Sequence, residues 1–86
     1  MNVIYVDDER VALECFEYEA RSLKEIAQLN LFDRAEDALN FARENDVDAA
    51  FLDIEMPGVN GLEAAEQIRE MDEDAVIIFL TAFDEF

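Results

Sequence analysis

Four short apolar runs, each parted from the next by a stretch of helical period, constrain this chain more than any other feature. Val3-Ile4-Tyr5-Val6 is unbroken and rich in β-branched residues, the pattern of a strand buried on both faces. Leu29 to Phe32 alternates more and reads as a shorter second strand. Ala49-Ala50-Phe51-Leu52 reads as the third, and Ala75 to Leu80, the most apolar segment, as the fourth. Between the first two runs, Asp7 or Asp8 offers an N-cap. Val11, Ala12, Cys15, Phe16, Ala20, Leu23, Ile26 and Ala27 then recur at helical spacing, so a helix is expected to run to about residue 27. Glu14, Glu17, Arg21 and Lys24 lie on its opposite face, and Cys15 is expected as a small core residue. Ala35, Ala38, Leu39 and Ala42 mark a second helix ending near Asn45. Leu62, Ala65, Ile68 and Met71 mark a third. Pro57, Gly58 and Gly61 punctuate the loop before it. The order is βαβαβαβ, which calls for a parallel sheet with helices on both faces and right-handed crossovers.

Composition removes several classes of function. With 23 acidic residues against 6 basic ones, and no histidine, the net charge is −17. Phosphate binding to nucleic acid needs clustered Lys and Arg, so this segment is not expected to bind nucleic acid directly. An anionic membrane surface is disfavoured for the same reason, and cations and basic protein surfaces are the natural partners. The apolar content of 52% is too high for a disordered acidic tail. The longest apolar run falls far short of the ~20 residues of a spanning helix. The N-terminus has no basic region preceding an apolar stretch, so it is not read as a signal peptide. One cysteine suits a reducing cytosol, and a cytoplasmic location is expected. Without histidine an ordinary zinc site is excluded, so any metal is an oxygen-bound one such as Mg²⁺, Ca²⁺ or Mn²⁺.

In open parallel sheets ligands sit beyond the carboxyl ends of the strands. Here the first strand ends in Asp7-Asp8-Glu9, the third in Asp53 with Glu55 two residues on, and the fourth in Thr81. Strand ends in such a sheet lie side by side, so these carboxylates converge. Crowded like charges raise one another's pKa and call for a neutralising cation. Mg²⁺ fits an open site of this kind, and a carboxylate beside it is a competent nucleophile toward phosphorus. Each residue also has an ordinary structural use. Asp7 and Asp8 serve equally as helix caps, Asp53 as a turn residue, Glu55 as a solvated side chain and Thr81 as a strand terminus. The functional reading comes from their conjunction at the strand ends.

Three motifs, VIYVDDE, FLDIEMPGVNGLE and IIFLTA, give the sequence its resemblance to the receiver domain of bacterial two-component response regulators. The resemblance covers the whole chain, and the middle motif is the specific one. It implies a flavodoxin-like parallel sheet of strand order 2-1-3-4, to which the family adds a fifth strand. It implies that a sensor histidine kinase donates a phosphoryl group to Asp53 and that Mg²⁺ is required. Asp8 matches the direct metal ligand and Asp7 its companion. Glu55 matches the position whose backbone carbonyl binds the metal. Thr81 matches the switch hydroxyl, and Ala82 the small residue that leaves room for the phosphoryl group. The ending LTAFDEF resembles receivers coupled to LytTR-type DNA-binding output domains.

The resemblance also implies a fourth helix, a fifth strand and a fifth helix beyond the fourth strand. Residues 1–86 are therefore expected to be a partial receiver domain, with no counterpart of the lysine that ends the family's fifth strand. Two expectations follow. One is phosphoryl transfer to Asp53, the chain being a phosphoacceptor rather than an enzyme with its own substrate. The alternative is a truncated, non-phosphorylated module that self-associates through an exposed fourth strand and sheet face. A phosphatase with an aspartate nucleophile is a third class. It needs a second catalytic aspartate two residues on, where this chain has Glu55.

Overall fold

The alternating apolar runs pair as parallel strands, and the intervening helices cover the two faces of the sheet they form. The computed structural model describes residues 1–56 and 58–80. Its strands are β1 (Asn2–Val6), β2 (Gln28–Phe32), β3 (Ala49–Asp53) and β4 (Val76–Leu80). All are parallel, in the order β2-β1-β3-β4. The helices are α1 (Arg10–Ala20), α2 (Ala35–Glu44) and α3 (Gly61–Met71). The expected fold class and strand order are those observed. Among the described residues no helix is long and apolar enough to cross a membrane.

Period-two alternation sorts each strand between two layers. Ile4 and Val6 of β1 and Ala50 and Leu52 of β3 face α2 and α3, where Ala38, Leu39, Ala64 and Ile68 close the core. The alanines let both helices approach the sheet closely. On the other face Tyr5 and Phe51 meet Phe16 of α1. Phe16 stacks on Tyr5 at a centroid distance of 4.3 Å and tilts against Phe51 at 4.9 Å.

The first helix is shorter than its apolar periodicity predicts. It ends at Ala20, not near residue 27. Eleven residues span about 16 Å, the height of a five-residue strand, whereas a helix reaching residue 27 overshoots by roughly 10 Å. The Ala27 and Gln28 N–H groups both donate to the Met1 carbonyl, at 2.9 and 3.2 Å, so the chain must already be back at the foot of β1. Ser22 closes the helix by donating its hydroxyl to the Glu19 carbonyl at 2.9 Å. The start differs too. Glu9 is the N-cap residue and makes no side-chain cap bond, while Asp7 accepts the Glu9 N–H instead. Cys15 is exposed, not a core residue, because α1 turns Phe16 and Ala20 inward and leaves Val11, Cys15 and Tyr18 outside.

Helix α3 buries Gly61, Ala64, Ala65 and Ile68. Leu62 and Met71, expected on that face, are exposed because they flank it. Asn60 caps the helix, its Oδ1 accepting the Glu63 N–H at 3.0 Å. Replacing Asn60 by Ala should cost about 1 kcal/mol, or roughly 4–8 °C in melting temperature for a domain of this size. An unchanged melting temperature would show that the cap contributes nothing. At the sheet edge, β4 leaves Val76, Ile78 and Phe79 exposed at 54%, 38% and 43%. The expected apolar edge is present. Thr81, Ala82 and the rest of the segment 81–86 lie outside the described residues, as does Pro57.

Candidate functional site

The register of the sheet builds the site. Val6 of β1 lies beside Leu52 of β3, so Asp7 and Asp53, the next residues along, leave the sheet as neighbours. The Asp7 N–H continues the ladder to β2 through the Phe32 carbonyl at 3.1 Å. The Ile54 N–H ties the end of β3 to the Leu80 carbonyl of β4 at the same distance. Both strand ends are therefore fixed from their neighbours before their side chains act.

Asp7 and Asp53 then make the same local turn. Asp7 Oδ1 accepts the Glu9 N–H at 2.9 Å, and Asp53 Oδ1 accepts the Glu55 N–H at 3.0 Å. Each carboxylate thus holds the loop that leaves its strand and keeps lone pairs for a further partner. Asp7 and Asp53 are buried, each 8% exposed, while Asp8 is open to solvent. Carboxylate oxygens of all three lie within 4.8 Å of one another. Among the described residues the one ion pair, Arg21 with Glu17, is elsewhere on α1, so no basic side chain neutralises the cluster.

The electrostatic consequence falls on Asp53. Burial pushes its carboxyl above the ordinary carboxylate range, and the charges of Asp7 and Asp8 push the same way. The Glu55 N–H pulls in the opposite direction without reversing the shift. Burial and the negative charge of Asp7 push the Tyr5 phenol up to about 12, so it stays a neutral donor at neutral pH. Its hydroxyl donates to Asp7 Oδ2 at 3.4 Å.

A small, hard, divalent cation fits these donors. They are all carboxylate oxygens, they converge, they carry uncompensated charge, and Asp8 leaves one side open to water. The Glu55 carboxylate is exposed and stands outside the cluster; that residue meets the site through its main chain. The structure thus brings together Asp7, Asp8 and Asp53, while Thr81 is not among the described residues.

Two residues that shape the site escaped the sequence reading. Tyr5 was legible in principle, since strand alternation puts it on the same face as Asp7. Gly61 read only as loop punctuation. A Cβ at Gly61 would lie inside contact distance of the Asp53 carbonyl oxygen and 2.8 Å from the Asp53 carbonyl carbon. The start of α3 therefore rests directly on the main chain that carries Asp53.

Comparison with known proteins agrees with this geometry. Residues 3–86 match the family described as the response regulator receiver domain. The sensory transduction protein LytT of Oceanobacillus iheyensis is 34% identical over 88 residues, a match covering all of this chain and 36% of LytT. The transcriptional regulatory protein YpdB of Escherichia coli is 34% identical over 85 residues, covering 99% of this chain and 35% of YpdB. The chain therefore spans about a third of the length of these relatives. Among solved structures, the response regulatory domain of MrkE from Klebsiella pneumoniae superposes with a TM-score of 0.86 at 34% identity, covering 99% of this chain and 70% of that one. TrrA of Thermotoga maritima, solved in complex with Mg²⁺ and BeF, gives 0.85 at 38% identity, covering 98% of this chain and 72% of that one. With residues 3–86 matched, the chain belongs to the response regulator receiver domain family.

Proposed function

We propose that this domain takes a phosphoryl group from a sensor histidine kinase onto Asp53, with Mg²⁺ held by Asp7, Asp8 and Asp53 and by the Glu55 backbone carbonyl. The observation that carries the reading is the convergence of three uncompensated carboxylates at the ends of β1 and β3. Bound Mg²⁺ supplies charge neutralisation for the incoming phosphoryl oxygens.

The chain's own residues supply the rest. The Glu55 N–H holds Asp53 Oδ1, so the turn presents the other carboxylate oxygen as the nucleophile. That oxygen forms a bond to phosphorus as the bond from phosphorus to the kinase histidine nitrogen breaks, and the nitrogen departs with the electron pair. Asp7 is oriented by the Glu9 N–H, and exposed Asp8 leaves a path for the donor. Thr81 is assigned the switch hydroxyl that turns toward the phosphoryl oxygens. Phosphorylation adds about two negative charges and strong acceptor oxygens, enough to bias a bistable surface. The proposed setting is the cytoplasm, and the proposed output is the transcriptional control that the name of YpdB describes for that protein. Family membership disfavours the non-phosphorylated, self-associating alternative. A phosphatase needs a second catalytic aspartate two residues after the nucleophile, where this chain has the exposed Glu55.

The test is an intact mass after incubation with Mg²⁺ and a small phosphodonor such as a phosphoramidate. One phosphoryl adduct is expected on the native chain and none on Asp53→Asn. No adduct on the native chain, or an adduct that survives Asp53→Asn, sinks the proposal.

A further inference from the structure

We infer that Tyr5 is a positioning residue of the acidic cluster, its buried hydroxyl fixing the orientation of Asp7 and thereby the affinity of the cluster for Mg²⁺. The inference rests on the metal reading given above and adds to it a residue outside the carboxylate set.

The argument starts from packing. Tyr5 is 6% exposed, stacked on Phe16 at 4.3 Å and tilted against Phe51 at 6.2 Å. A phenylalanine would fill that space as well as a tyrosine does. A hydroxyl placed in such an apolar layer is costly unless it finds a partner. Among the described residues its partner is Asp7 Oδ2, at 3.4 Å. Tyr5 lies on β1 and Asp7 follows its last residue, two positions on, so the strand's alternation carried one step further brings the phenol to the carboxylate.

Asp7 consequently has a partner at both oxygens, a short one at Oδ1 and a long one at Oδ2. Oδ1 is anchored to the Glu9 main chain at 2.9 Å, and Oδ2 to the Tyr5 phenol. A carboxylate tethered at one oxygen swings about that contact, whereas one tethered at both keeps its plane. Each oxygen retains a lone pair for a cation. Groups that orient ligands from behind raise metal affinity by sparing the ordering cost on binding. Tyr5 plays this part here, and aromatic packing immobilises the phenol that does the orienting.

Tyr5→Phe is the informative variant, because it keeps the ring and removes the hydroxyl. Calorimetric titration of the chain with Mg²⁺ is expected to show affinity weakened about tenfold, the lower end of what loss of such a partner costs. The melting temperature without Mg²⁺ should move little, which separates positioning from packing. A second measurement does not depend on that variant folding. The chain has two tyrosines, and the other, Tyr18, is 79% exposed on α1. In a Tyr18→Phe background Tyr5 is the only tyrosine, and its near-ultraviolet absorption should shift as Mg²⁺ fills the site, saturating with the calorimetric affinity. Tyr5→Phe binding Mg²⁺ within about twofold of the native chain would overturn the inference, as would a Tyr5 band indifferent to Mg²⁺. A native chain that fails to bind Mg²⁺ overturns the metal reading itself and this inference with it. The native titration alone tells that outcome from the others.

Discussion

Gly61→Ala should be the most damaging single-methyl addition in the molecule. A Cβ there meets main chain: the Asp53 carbonyl oxygen, the Asp53 carbonyl carbon at 2.8 Å and the Ile54 Cα at 3.0 Å. Main chain has no rotamer by which to yield, so α3 must lift from the sheet or β3 must bend. Overpacking of this kind costs about 3 kcal/mol. An 86-residue domain has roughly 4–13 kcal/mol of net stability, so that is a large share. The melting temperature should fall by roughly 12–24 °C. Gly58→Ala is the matched control. Gly58 has φ of 77°, and its added Cβ meets only the flexible end of Glu36 at 3.5 Å. Its cost is that of a left-handed backbone, about 1–2 kcal/mol. The larger effect should also reach the site, since the displaced atoms belong to Asp53. Gly61→Ala should therefore lose most of its stabilisation by Mg²⁺, and Gly58→Ala should keep it. Equal melting temperatures for the two variants would show that α3 does not rest on β3 as described.

That contact marks the boundary of what the sequence discloses. The order of elements was legible because three strands are dense apolar runs, the second alternates, and each helix keeps its period. The positions of Asp7, Asp8 and Asp53 were legible because polar residues ending buried strands have few places to go. The length of α1 was not. Apolar spacing through Ile26 and Ala27 continues past the point where sheet height stops the helix, and height is a tertiary quantity. Cys15 and Leu62 failed for a related reason. Periodicity finds an apolar stripe, but the neighbour decides how much of its width is buried, and here Phe16 and Gly61 take the centre. Gly61 looked like any loop glycine because a close approach between distant main-chain segments leaves no trace in local pattern. Tyr5 was hidden by its own apolar run. Its ring belongs to the core and its hydroxyl to the site, and only the three-dimensional register separates the two roles.

Asp53→Asn, which abolishes the phosphoryl acceptor, should at the same time stabilise the metal-free protein at neutral pH. Burial and the charges of Asp7 and Asp8 raise the Asp53 carboxyl above its ordinary range. A carboxyl whose folded pKa lies above its unfolded one favours the fold while it is protonated. That contribution is complete below the unfolded value, near 3.9, and is lost as pH rises through the folded value. At pH 7 ionised Asp53 therefore opposes folding, and asparagine relieves it. The amide oxygen can still accept the Glu55 N–H now bound by Asp53 Oδ1, and the amide nitrogen offers Asp7 a donor in place of a like charge. Relief of such repulsion is worth about 1 kcal/mol, or roughly 4–8 °C. The gap between variant and native chain should shrink as pH falls through the raised folded value, where native Asp53 takes up its proton. General repulsion from the net charge of −17 acts on both proteins nearly alike and largely cancels in the comparison. Mg²⁺ should raise the native melting temperature at pH 7 by occupying the same excess charge, and should raise that of Asp53→Asn less. A variant that melts at or below the native temperature at pH 7, or a gap that holds constant down to pH 4, would mean that Asp53 is not the strained member of the cluster.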